Sequence, residues 1–233
     1  MQPHVDTDDS FAALGGEWLE AIPPTTFHDV VQYVTNTWDE LKLEWPNEHC
    51  FSNNELTLSL SLGQALNEAG RKKSAGISGG FGAEAFEPIR VAGKVKKNGR
   101  TDIKFVFGGL GAPEVILECK KLDGSSAKRR AYYTEGVGRF VSGKYGSEYF
   151  QGVMLGFSKE EPENEAAQLK AMICTHALAQ TYRCIPFPNG EFTLDPSEIS
   201  PGLAYFDTKH DRAPIAASPF SLAHVLLSSP EVA

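Results

Sequence analysis

The stretch Glu114-Val115-Ile116-Leu117-Glu118-Cys119-Lys120-Lys121-Leu122 constrains this chain more than any other. Val115, Ile116 and Leu117 form an unbroken apolar run, the pattern of a strand covered on both faces. The run ends in Glu118 and Lys120. Residues two apart in a strand share a face, so these two charges stand side by side, roughly 6 to 7 Å apart, while Cys119 turns into the opposite layer. Charges at the end of a buried strand are costly unless they pair or coordinate something.

The flanking segments supply the rest of an α/β domain. Apolar spacing near 3.6 predicts helices over 11–21 and 27–43, the second marked by Phe27, Val30, Val31, Tyr33, Val34, Trp38 and Leu41, with Pro23 and Pro24 between them. Leu56 to Leu62 alternates as a strand would, but Leu58, Leu62, Ala65, Leu66 and Ala69 fit a helix. Asn53 or Asn54 as N-cap and Gly70 as stop favour the helix. Residues 74–82 are glycine-rich and lack the GK[ST] ending of a phosphate-binding loop, so a turn is expected there. Strands follow over 85–95, 101–107 and 114–122, with Gly99 expected to turn the chain before the second. A helix over 127–144, a strand over 152–158, a helix over 164–182 and short strands near 203–208 and 220–227 complete the pattern.

Charge is distributed unevenly. The net charge is -8, but residues 1–50 hold ten acids against one base, a balance of -9, and residues 94–144 hold twelve bases against five acids, a balance of +7. A basic centre suits a polyanion, and the acidic, Trp-bearing N-terminal part is suited to cover it or to dock a partner. The four cysteines form no CxxC pair, and no run approaches the roughly 20 apolar residues of a membrane span. The chain reads as soluble and cytoplasmic.

An antiparallel strand bearing Asp102 beside Glu118 brings a second carboxylate to one sheet edge. Two carboxylates and a main-chain carbonyl form a donor set for a hard divalent cation such as Mg²⁺. Lys120 beside it is able to orient water or hold charge developing on phosphorus.

"RTDIKFVF", a gap and then "VILECKK" resemble the PD-(D/E)XK nuclease superfamily. The following "YYTEGVGRFVSGKYGSEYFQGVMLGFS" resembles sequences attached to such nucleases in bacterial antiviral defence systems. The resemblance spans roughly residues 53–158. It implies a restriction-endonuclease-like core, a central mixed sheet flanked by helices, with an acidic helical N-terminal extension over 1–50 and the nuclease domain over 51–233. It also implies a metal-dependent DNA endonuclease using Mg²⁺ or Mn²⁺. Asp102, Glu118 and the Cys119 carbonyl would hold the metal, Lys120 would be the catalytic lysine, and Glu55 would complete the site, with Glu68 as its competitor. Arg100, Lys121, Lys128, Arg129, Arg130, Arg139 and Lys144 are the candidate DNA contacts. The expected partners are DNA and a regulatory or sensor subunit, or a second copy in a homodimer. The alternative is a catalytically inactive subunit of the same fold that binds DNA or protein; RNA also remains open as substrate.

Other polar residues carry less. His176 and His224 are expected to be core histidines, Cys174 and His176 lack the further ligands of a zinc site, and His210 and Arg212 stand in a polar segment that could meet phosphate.

Overall fold

The computed structural model describes residues 24–91, 94–107, 114–145, 150–213 and 219–229, with 24–26, 83–91 and 94–101 described by their backbone alone. The helix expected over 11–21, Trp18, and the side chains of Arg100, Lys94, Lys96 and Lys97 lie outside the described residues.

Three apolar runs, in β3 (Glu114–Leu122), β4 (Gln151–Ser158) and β7 (Phe220–Ser228), are buried on both faces and form the middle of one sheet. β4 pairs in parallel with β3 on one side and with β7 on the other. The antiparallel strands β1 (Gly79–Val91) and β2 (Lys94–Phe107) extend the sheet beyond β3, and β6 (Phe206–His210) and β5 (Thr193–Leu194) extend it beyond β7. The result is a seven-stranded mixed sheet in the order β1-β2-β3-β4-β7-β6-β5.

Helices cover both faces, sorted by the two-residue period of the strands. Leu117, Cys119, Val153, Leu155 and Val225 pack against α1 (Pro24–Glu44) and α2 (Glu55–Ala65) through Phe27, Val31, Trp38, Leu58 and Leu62. On the other face Ile116, Leu122, Met154 and Leu222 meet α4 and α5 (Pro162–Ile173). The segment α4 runs as Ser126–Ala131, a π-helical turn over Tyr132–Val137, and Gly138–Val141. The short helices α3 (Ala69–Ser74) and α6 (His176–Thr181) complete the set.

α1 is no appendage. Phe27, Val30, Val34 and Trp38 are at most 1% exposed, and the Trp38 indole donates to the Ser228 carbonyl at 2.9 Å. Each such side chain contributes about 1.5–3 kcal/mol on burial. The boundary expected near residue 50 therefore does not separate two cores.

Several local expectations shift. Asn54 caps α2, accepting from the Thr57 N–H, but α2 ends at Ala65 rather than Gly70. The Asn67 side chain there bonds both main-chain groups of Phe81, turning the chain towards β1. Gly79 and Gly80, expected in a turn, begin β1. Gly79 has φ +145°, and a Cβ there would lie 2.5 Å from the Phe105 ring, so glycine is required. Gly99 does not turn the chain. It pairs with Glu87 at a bulge inside the hairpin, where Asn98 is the extra residue. The helix expected over 164–182 breaks between Ile173 and His176, where Thr175 is extended and its hydroxyl bonds the Met172 carbonyl. His176 is thus exposed at the start of α6 rather than in the core.

His224 is buried as expected; His210 and Arg212, expected in a polar segment that could meet phosphate, are fully buried instead. Because the Tyr182 carbonyl can only accept, His210 Nδ1 carries the proton. His210 Nε2 then accepts from Thr208, Thr208 accepts from His224 Nε2, and His224 Nδ1 accepts from the Tyr132 hydroxyl. The chain is satisfied with both rings neutral. Among the described residues no helix is long and apolar enough to cross a membrane.

Candidate active site

The pairing of β2 with β3 stops at Ile103 and Leu117. Beyond it, among the described residues, β2 pairs with β1 alone and β3 with β4 alone, so one edge of β3 opens from Glu118 onwards. A strand edge without a neighbour leaves main-chain groups to be satisfied by other means. Two carboxylates take that part. Asp102 Oδ2 accepts from the Cys119 N–H at 2.8 Å, and Glu55 Oε2 accepts from the Lys121 N–H at 2.9 Å. Asp102 reaches its place as the next residue of β2, and Glu55 as the first residue of α2, set by the Asn54 cap.

Glu118 and Lys120 project from β3 on the α4 side. The Lys120 ammonium lies 2.7 Å from Glu118 Oε1, 2.8 Å from the Cys119 carbonyl, 3.1 Å from Glu55 Oε1 and 4.0 Å from Asp102 Oδ2. All four groups expected to ligate a metal thus converge on one point, and a cation already stands there. Gly136 of α4 packs against the Met154 side chain beside this stem, and a Cβ on it would run into Met154.

Glu118 has further donors. Arg139 Nη1 donates to Oε1 at 2.7 Å, and the Tyr145 hydroxyl donates to Oε2. Arg139 also donates to the Tyr145 hydroxyl at 2.8 Å. The two residues are brought together by the end of α4. Gly143, at φ +69°, donates to the Phe140 carbonyl, and Lys144 N–H reaches back to Arg139, a Schellman closure that reverses the chain. Tyr145 therefore lies past the helix, not on it.

Burial dominates the electrostatics. It lifts the Glu118 carboxyl to about 7, helped by the Asp102 charge and opposed by Lys120 and Tyr145. Burial likewise raises Asp102, against the pull of Lys120 and the Cys119 N–H. Burial alone would lower Lys120, but Glu118, Glu55 and Asp102 together outweigh it and hold the ammonium above its ordinary value. The Cys119 thiol, turned into the opposite layer, is pushed well up by burial.

No family model, curated protein or solved structure matches this chain. What the site can do is read from its own atoms.

The sequence candidates separate into groups. Glu55, Asp102, Glu118 and Lys120 come together, and Arg139 joins them through Glu118 rather than lying open as a phosphate contact. Glu68 does not join them; it pairs with Arg71 on the surface. Lys121, expected at DNA, points away, its ammonium bonded to the Phe51 and Asn53 carbonyls and lying over the Phe51 ring. Arg129 is also tied into the fold, forming two bonds to the fully buried Glu165. Lys128, Arg130 and Lys144 are exposed. The linkage of Arg139 and Tyr145 to Glu118 was not evident from spacing, since residues six apart do not share a helix face; Gly143 was the available sign of a reversal.

The donor set fits a divalent cation by its chemistry, being all oxygen with an ammonium as stand-in at the focus. Among the described residues no three acidic, histidine or cysteine groups lie close enough for a ready cage.

Proposed function

We propose that this chain is a metal-dependent phosphodiesterase that cleaves DNA on a restriction-endonuclease-like core. The observation that carries the reading is the convergence of Asp102, Glu118, the Cys119 carbonyl and Glu55 on the Lys120 ammonium where β2 and β3 part. Mg²⁺ or Mn²⁺ is the cation of choice for these oxygens, and when bound it supplies acidified water and neutralises charge on the phosphoryl group. Lys120 stays an ammonium at neutral pH, so it donates hydrogen bonds to water or to a phosphoryl oxygen rather than removing a proton. Asp102 and Glu55 keep one oxygen each on the β3 edge, which fixes their direction towards the same point. Lys128 and Arg130 are exposed candidates for contact with the DNA backbone.

An effector role in antiviral defence, with a regulatory partner restraining the nuclease, accords with the exposed Leu43 and Trp45 beyond the core face of α1. The opposed reading, a silent fold that binds DNA or protein, draws on the closed state of the site.

Supercoiled plasmid with Mg²⁺ or Mn²⁺ separates the two. The wild type is expected to nick or linearise it, and Lys120→Ala to lose at least about a hundredfold in rate. Plasmid left intact by the wild type, together with ordinary salt-dependent binding, would support the silent fold.

A further inference from the structure

Both oxygens of Glu118 are engaged by residues that a minimal metal site does not need. Arg139 bonds Oε1, Tyr145 bonds Oε2, and Arg139 bonds Tyr145 in turn. Lys120 shares Oε1 and fills the point where the other oxygens meet. A divalent cation arriving here meets two positive side chains and a carboxylate with three donors already on its two oxygens. Its binding competes with these contacts for Glu118.

Glu118, Tyr145 and Arg139 differ in access. Glu118 and Tyr145 are fully buried, whereas the Arg139 side chain is 30% exposed. Arg139 alone of the three can reach an outside anion without unfolding the site. A guanidinium binds phosphate by the same two-pronged geometry it uses for carboxylate, so a backbone phosphate and Glu118 compete for it.

We propose that Arg139 and Tyr145 are positioning residues that latch Glu118 away from the metal, and that a DNA backbone phosphate drawn to Arg139 releases the latch. Metal and DNA then bind cooperatively, each strengthening the other by the same factor. The latch also restrains the nuclease, since the cation is held weakly until a polyanion is in place. The inference rests on the metal-dependent reading above, and it assigns Arg139 and Tyr145 roles that the chemistry of Lys120 and the carboxylates does not include.

The test is calorimetric titration of the full chain with Ca²⁺, a hard oxygen-seeking cation, with and without a saturating short DNA duplex. The wild type is expected to bind Ca²⁺ about tenfold or more tightly when the duplex is present. Arg139→Gln is expected to bind it tightly without DNA and to lose the coupling. Tyr145→Phe, which keeps its ring against Phe140 at 5.0 Å, should also bind more tightly than the wild type without DNA. If Arg139→Gln and Tyr145→Phe bind Ca²⁺ no more tightly than the wild type in the absence of duplex, or if Arg139→Gln keeps full coupling, the latch is wrong. If none of the three proteins binds Ca²⁺ with or without duplex, the metal-dependent reading falls, and the latch with it.

Discussion

Glu118→Gln measures what the site costs the fold. Burial, with the Asp102 charge, lifts the folded carboxyl from 4.5 to about 7. The unfolded chain ionises the same group near 4.5, so between these values the native state holds the extra proton. Stability from this group therefore falls as pH rises through that window. The span is worth about 3 kcal/mol, or roughly 6 to 12 °C in Tm for a chain of this length. Glutamine keeps an oxygen for Lys120 and Arg139, offers its amide to the Tyr145 hydroxyl, and carries no charge. The variant should melt with the wild type near pH 4.5 and exceed it by about 3 kcal/mol at about pH 8.5, while losing cleavage. Burial drives the histidines the other way. It takes His210 down to about 4 and His224 well below its usual value, so stability from them is lost as pH falls below 6.5. Both proteins carry those histidines, and the difference between their curves isolates Glu118. Thermal melts followed by circular dichroism across this range provide the assay. Parallel curves, or a variant less stable than the wild type at the alkaline end, would refute the reasoning.

Further outcomes follow from two charges that the fold consumes and one that it leaves exposed. Arg129→Ala strands the fully buried Glu165 and is expected to cost about 3–5 kcal/mol, whereas replacing both with apolar side chains should restore most of the loss; a single variant that melts like the wild type contradicts the pairing. In DNA binding measured against salt, the exposed Lys128 should contribute about one unit of slope, lost in Lys128→Ala. Lys121→Ala should leave the slope unchanged and lower Tm instead, because its ammonium holds the Phe51 and Asn53 carbonyls; a matching loss of slope in both variants would return Lys121 to the interface.

The sequence by itself determined the middle of the sheet and the chemical types at its edge. The runs in β3 and β4 are apolar on both faces, which leaves a covered central strand as their natural place, and Glu118 and Lys120 share a face because the strand period is two; the place of β7 beside β4 came only with the fold. A cap at Asn53 or Asn54 likewise marked where Glu55 enters a helix, and the structure takes Asn54. That Glu55 rather than Glu68 reaches the open edge of β3 was decided by tertiary structure, since α2 presents one there and the neighbouring turn gives the other to Arg71. So were the fates of Lys121 and Arg129, whose charges look alike along the chain but meet carbonyls and a buried carboxylate in space. The Arg139 and Tyr145 contacts with Glu118 depend on a helix end reversed by Gly143. Local pattern records which residues can be buried or charged; which charges face one another depends on distances across elements far apart in the chain, and these exist only once the sheet and its helices have packed.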